Sequence, residues 1–232
     1  MQTPARTASR AAYPAPPWLL SGTLTFSLFS VPARAVSGLT AHLPSGHRPV
    51  SLGGNSVIGL AVAQYGPGGD LAYDELLVAV LTREGFRPRA TVTQIWVDSP
   101  ASQAGGRTLW AIPKDLATST GPKDHQAVER TEFRTPDGAP IARLDRRSGR
   151  RLTPGRVSVP LATAQREGPL AVTPHNTVTA HNTVTATVRA ARAHWQVAAR
   201  GPLGWLTGRR PLGTFTLTNA ALTFGTRVGR ST

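Results

Sequence analysis

Leu109 to Ala117 reads LWAIPKDLA, an apolar run interrupted by one lysine directly after a proline. Of the 26 basic residues, two are lysines, Lys114 and Lys123, and the rest are arginine. Lys114 can be a solvated surface charge, can snorkel its ammonium out of an apolar face, or, with Trp110, Ile112 and Leu116 as neighbours, can be a buried amine. A buried amine has a specific use. Free lysine, with a pKa near ~10.4, is about 99.9% protonated at neutral pH and cannot attack a carbonyl, whereas burial disfavours the ammonium and releases the nucleophile. The imine that forms is an electron sink, able to take up the pair left by a departing carboxylate or to stabilise a carbanion for aldol, retro-aldol or dehydration chemistry.

The surrounding elements must present that amine to a pocket. TLTFSLFSV, SVIGLAVAQYG, RATVTQIWVDS, HNTVTAHNTVTATVRA and GTFTLTNAALTFG alternate apolar or β-branched residues with polar ones between Gly and Pro turns, which predicts strands. Two segments read as helices. Asp70–Arg83 has Leu76, Leu77, Val80 and Leu81 at helical spacing, although LLVAVL also fits a buried strand. Ser99–Leu109 opens on a serine N-cap with Pro100 at the first helical position. The tandem HNTVTA at 175–180 and 181–186 has an even period, so on a strand both copies turn Asn176, Val178, Ala180, Asn182, Val184 and Ala186 to one face. The expected organisation is a disordered tail over residues 1–12 and one β-rich domain over 13–229.

Composition excludes several classes. With no cysteine, disulfides and thiolate metal sites are ruled out, and the six histidines fall into no ligand spacing, so no metal is expected. No apolar run reaches the ~20 residues of a spanning helix. WLLSGTLTFSLFSVPARA superficially resembles a signal sequence, but its Ser and Thr break the apolar core and alternate as in a strand. We therefore expect a cytoplasmic protein with no membrane association. The formal charge of +14 raises a polyanion partner. Yet the arginines are scattered, the densest cluster at Arg143–Arg156 reads as a solvated loop, and no recognition motif accompanies them, which argues against nucleic acid.

PPW near the start, then AYDELLVAVLT, then QIWVDSPASQAGGRTLWAIPKDLA resembles the acetoacetate decarboxylase family in order, spacing and residue type from about Tyr13 to Thr118. The most specific element joins Asp98, Ala101, Gly106, Arg107, Pro113, Lys114 and Leu116. The resemblance implies an α+β chain built on a cone-like antiparallel β-barrel with a few short helices, forming a homo-oligomer. It implies Lys114 as imine-forming nucleophile and Glu75 as proton-transfer group, with Tyr73, Arg107 and Trp110 binding a small oxo acid or related carbonyl compound and no cofactor. Three positions depart from the family pattern. Asp115 replaces a second lysine, Thr23 stands opposite a carboxylate-binding arginine in an ungapped placement, and Thr108 replaces a glutamate. Asp115 would raise the Lys114 pKa if it faced the amine, but neighbouring strand residues point to opposite faces. A non-catalytic binding protein of the same fold, or a basic polyanion binder, are the alternative readings.

Overall fold

The computed structural model describes residues 12–121, 129–168 and 176–231. The expected tail, apart from Ala12, lies outside these residues, as does Lys123. The chain forms β1 (Trp18–Pro32), a short helical stretch ending in α1 (Ser37–Thr40), β2 (Arg48–Pro49), β3 (Ser51–Leu52), β4 (Asn55–Tyr65), β5 (Tyr73–Glu84) and β6 (Arg87–Val97). Helix α2 (Pro100–Trp110), β7 (Lys114–Leu116), β8 (Thr118–Thr120), β9 (Glu129–Arg134), β10 (Pro140–Arg151), β11 (Val157–Arg166), β12 (Thr177–Val197) and β13 (Gly213–Ser231) follow.

The thirteen strands of the described residues belong to one sheet, whose path runs β11-β6-β5-β4-β1-β13-β12-β10-β9-β8. Because β11 also pairs along its length with β12, the first seven strands close into a ring. The closure departs from an all-antiparallel barrel. β11 meets β6 through a parallel bridge, Thr163 to Ala90, and β7 adds to β6 in parallel.

The segment Asp70–Arg83 is not a helix. From Tyr73 it is the inner strand β5, hydrogen-bonded to β4 on one side and β6 on the other. Its apolar run is continuous because both faces are covered: Leu76, Val78 and Val80 enter one core with Phe29, Val31, Ile58 and Phe133, while Tyr73, Glu75, Leu77 and Ala79 face the inside of the ring. A strand buried on both sides loses the two-residue alternation that would distinguish it from a helix. Gly85, with φ +58, and Phe86 then form a two-residue hairpin loop into β6, a position where a positive φ favours glycine.

The second apolar cluster fills the ring interior with Trp18, Leu20, Tyr65, Ile95, Trp110, Ile112 and Leu222. The tandem repeat is absorbed by β12, with His175 outside the described residues. Val178, Ala180, Asn182 and Ala186 are buried and His181 is exposed. Asn182 accepts a hydrogen bond from the Gly225 N–H at 2.8 Å, tying β12 to β13 where their register shifts.

The basic cluster at 143–156 is a strand rather than a solvated loop over most of its length. Alternation along β10 turns Leu144 and Arg146 inward. Arg146 is buried, and its guanidinium donates to Glu129, Thr25 and Gln64, a set that compensates a charge removed from water. No helix among the described residues is long and apolar enough to cross a membrane.

Candidate active site

Lys114 reaches the ring interior because of the turn before it. Ser99 caps α2 by accepting from the Ser102 N–H, Pro100 occupies the first turn, and the helix ends at Ala111 in the left-handed region with φ 54. Its N–H caps the last carbonyls, and the chain reverses within Ile112 and Pro113 to lay β7 beside β6, pairing Lys114 with Ile95. Within β7 the side chains alternate. Lys114 is buried at 4% exposure, whereas Asp115 turns outward and pairs with Arg107 at 2.6 Å. The aspartate that replaces the family's second lysine therefore leaves the amine's surroundings.

The amine lies among three oxygen atoms. Lys114 Nζ is 2.8 Å from Ser102 Oγ, 3.2 Å from Glu75 Oε2 and 3.3 Å from Tyr73 Oη, and it sits 5.0 Å from the Tyr73 ring centroid. Glu75 is itself buried and accepts from Tyr65 Oη at 3.2 Å through its other oxygen. Tyr65 and Tyr73 are register partners across β4 and β5, with ring centroids 5.0 Å apart. Burial holds the Lys114 pKa below its ordinary 10.5, and the Glu75 carboxylate opposes that shift. Burial, and secondarily the same carboxylate, push both tyrosine hydroxyls well above their ordinary range, so they remain protonated.

The three contacts also define how the site can hold its proton. An ammonium donates to all three oxygens. A neutral amine has two N–H groups and a lone pair, so one of the hydroxyls, Ser102 or Tyr73, must turn and donate to it, since an ionised carboxylate can only accept. The hydroxyls thus allow the amine to exist in either state without an orphaned group.

Beyond the amine opens a cavity of about 140 Å³. Its walls come from β1 (Leu20, Leu24), β5 and β6 (Leu77, Val92, Ile95), the end of α2 (Trp110), and β13 (Leu222, Phe224). Trp110 packs edge-on against Trp18 and Phe224 at 4.7 and 4.6 Å.

Of the five residues singled out by the sequence, the structure brings together Lys114, Glu75, Tyr73 and Trp110 on this cavity, and it leaves Arg107 outside. Arg107 lies on the outer side of α2 with its side chain half exposed and occupied by Asp115. Thr23 is outside as well. Alternation along β1 turns Trp18, Leu20 and Leu24 to the cavity and Thr23 to a separate polar depression with Gln64 and Arg146. Two residues, Ser102 and Tyr65, escaped the sequence reading, and Gly106 entered it as part of the motif without a role. Ser102 and Gly106 are four apart on one face of α2, and a Cβ at Gly106 would stand 2.7 Å from Lys114 Cδ, so the glycine makes room for the lysine stem. Tyr65 could have been suspected as one of only three tyrosines in the chain, facing Tyr73 across a Gly-Pro-Gly-Gly turn.

Residues 2–201 match the family model described as Acetoacetate decarboxylase (ADC). The chain belongs to the acetoacetate decarboxylase family. Its fold is similar to that of the acetoacetate decarboxylase from Legionella pneumophila subsp. pneumophila str. Philadelphia 1, at TM-score 0.72 and 14% identity over 99% of this chain and 92% of that one. It is similar also to the enduracididine biosynthesis enzyme MppR complexed with pyruvate, at TM-score 0.68 and 18% identity over 98% of this chain and 94% of that one. An acetoacetate decarboxylase-like enzyme from Sphingomonas wittichii RW1 gives TM-score 0.64 and 14% identity over 99% of both chains. No curated protein matches the chain. As a family member it is an acetoacetate decarboxylase-like, strand-rich protein.

Proposed function

We propose that this acetoacetate decarboxylase-like protein is an imine-forming lyase acting on a small carbonyl compound, either a β-keto acid for decarboxylation or a substrate of aldol or dehydration chemistry. Lys114 is the nucleophile and Glu75 the proton acceptor, while Tyr73 and Trp110 contact the substrate and no cofactor takes part. The protein acts in the cytoplasm as a homo-oligomer folded as one domain over residues 13–229. The observation that carries this reading is the buried Lys114 amine at the end of an apolar cavity, 3.2 Å from Glu75, with Asp115 turned away.

The steps follow from ordinary carbonyl chemistry. The neutral amine attacks the carbonyl carbon, the carbonyl π pair moves to oxygen and takes a proton, and loss of water leaves a protonated imine. That cation sits beside the Glu75 carboxylate, which offsets its charge and can accept a proton from the neighbouring carbon. A second reading, a binding protein without turnover, is favoured by the three acceptors around Nζ, which suit an ammonium that never reacts.

Borohydride reduction in the presence of several carbonyl compounds, acetoacetate included, separates the two. A mass adduct on the peptide containing Lys114, lost in Lys114→Arg and kept in Lys123→Arg, is the expected result, because a guanidinium stays protonated. Absence of an adduct with every compound overturns the imine-forming reading.

A further inference from the structure

We propose that the carbonyl compound taken by Lys114 is uncharged and carries a compact aromatic or alicyclic group, and is not a free oxo acid. This rests on Lys114 as the imine former and narrows its substrate.

The cavity offers few charges to a carboxylate. Lys114 is the sole cation lining it among the described residues. Once the amine has become an imine its charge is already offset by Glu75 at 3.2 Å. The two arginines that could have received a carboxylate are both committed elsewhere: Arg107 pairs with Asp115 on the outer surface, and Arg146 is buried on Glu129, Thr25 and Gln64 outside the cavity. Thr23, where the family pattern has an arginine, faces away. A carboxylate attached to the reacting carbonyl would therefore be taken out of water into aliphatic and aromatic walls, within reach of another carboxylate and without a cationic partner. Such a transfer is strongly unfavourable.

The walls suit the opposite kind of molecule. Leu20, Leu24, Val92, Ile112, Leu222 and Phe224 present hydrocarbon on several sides of the space next to Nζ. The volume of about 140 Å³ is close to that of apolar cavities, ~150 Å³, that admit a benzene ring. A six-membered ring bearing a carbonyl fills it, and pyruvate would leave much of the hydrocarbon uncovered. The polar residues that line it beside Lys114 are Glu75, Tyr65, Tyr73 and Thr163, and of these the Glu75 carboxylate and the Tyr73 hydroxyl lie 3.2 and 3.3 Å from Nζ, where the carbonyl reacts. For such a substrate the available step is removal of the α-proton of the protonated imine by Glu75. The C–H pair becomes the enamine double bond, and the C=N π pair settles on nitrogen, which leaves a carbon nucleophile for addition to a second carbonyl compound. Decarboxylation is not open to it.

The test uses the wild-type chain at neutral pH with four compounds at equal concentration: cyclohexanone, phenylacetaldehyde, pyruvate and acetoacetate, each with borohydride and peptide mapping. Because the chain has only two lysines, reaction at Lys114 is distinguished from reaction at Lys123. We expect the two uncharged compounds to exceed the two acids at Lys114 by more than about tenfold, the least that burial of an unpaired carboxylate should cost. Equal or greater labelling by pyruvate or acetoacetate overturns the inference while leaving the imine reading intact. A parallel measurement needs no imine: saturation-transfer NMR of the same protein with cyclohexanol and with lactate. If no compound labels Lys114 yet cyclohexanol binds saturably and lactate does not, the imine reading falls and the preference for an uncharged ring stands. If nothing labels and cyclohexanol does not bind, both fail.

Discussion

At the scale of single residues, the pairing of Lys114 with Glu75 is a compromise between two demands on one amine. Burial lowers its pKa and the carboxylate raises it again, with burial the larger influence. Replacing Glu75 by Gln removes the opposing charge and keeps a similar shape, so the amine is free at lower pH. The pH profile of borohydride trapping should then move to lower pH than in the wild type. Exchange of the substrate's α-hydrogens for deuterium, which needs a proton acceptor, should fall by about 10²–10⁴, the usual contribution of a positioned general base. The two readouts move in opposite directions, so a variant that simply unfolds cannot imitate them. An unchanged trapping profile would show that Glu75 does not set the charge state of Lys114.

At the scale of elements, α2 positions the lysine by what it lacks. Gly105 and Gly106 are adjacent, but they clear space for different neighbours. A Cβ at Gly105 would lie 2.4 Å from the Trp18 ring, whereas one at Gly106 would lie 2.7 Å from Lys114 Cδ. Trp18 is buried and wedged against Trp110, so it has nowhere to go. Gly105→Ala should therefore destabilise by roughly 1–3 kcal/mol, the range for an overpacked core, despite alanine's higher helix propensity. The lysine stem is flexible. Gly106→Ala should cost less stability, while displacing Nζ from Ser102 and Glu75 and lowering the rate of trapping. Urea denaturation read beside the trapping rate distinguishes the two, and loss of trapping in both variants in proportion to stability would show that α2 has no separate positioning role.

At the scale of the whole molecule, a buried ion pair is held inside a ring of strands where hydrocarbon would fit. Such pairs are poor contributors to stability, and replacing both members by apolar residues often gains about 1–4 kcal/mol, whereas removing one leaves a buried charge and costs about 3–5 kcal/mol. Lys114→Met alone should destabilise by the latter amount, and Lys114→Met combined with Glu75→Leu should recover it and exceed the wild type in urea denaturation. The lysine also links stability to pH. Its folded-state pKa lies below 10.5, so the unfolded chain binds more protons in the interval between the two values, and the stability of the wild type rises with pH across that interval. Its deficit against the double variant should accordingly be largest below the depressed value and shrink as pH approaches 10.5. A deficit independent of pH would mean that the amine titrates normally.

The sequence by itself determined the strand-rich character, the start of α2 and the apolar setting of Lys114, because each is written in short-range terms. Alternation marks β1, β6, β12 and β13, while Ser99 and Pro100 mark the start of a helix. Lys114 was conspicuous as a scarce residue in an apolar run. The outward turn of Asp115 followed from the period of a strand. The tertiary structure alone decided what lies around the amine. β5 was ambiguous because it is covered on both faces, and coverage by β4, β6 and two cores is a long-range fact that local periodicity does not record. Ser102 became a partner of Lys114 only when the turn at Ala111 folded β7 back beside α2. Arg107 left the site, and Arg146 went from an apparent solvated loop into a buried network, for a related reason. Which face of an element meets the interior depends on closure of the ring, and closure is set by pairings between residues as distant as Thr163 and Ala90.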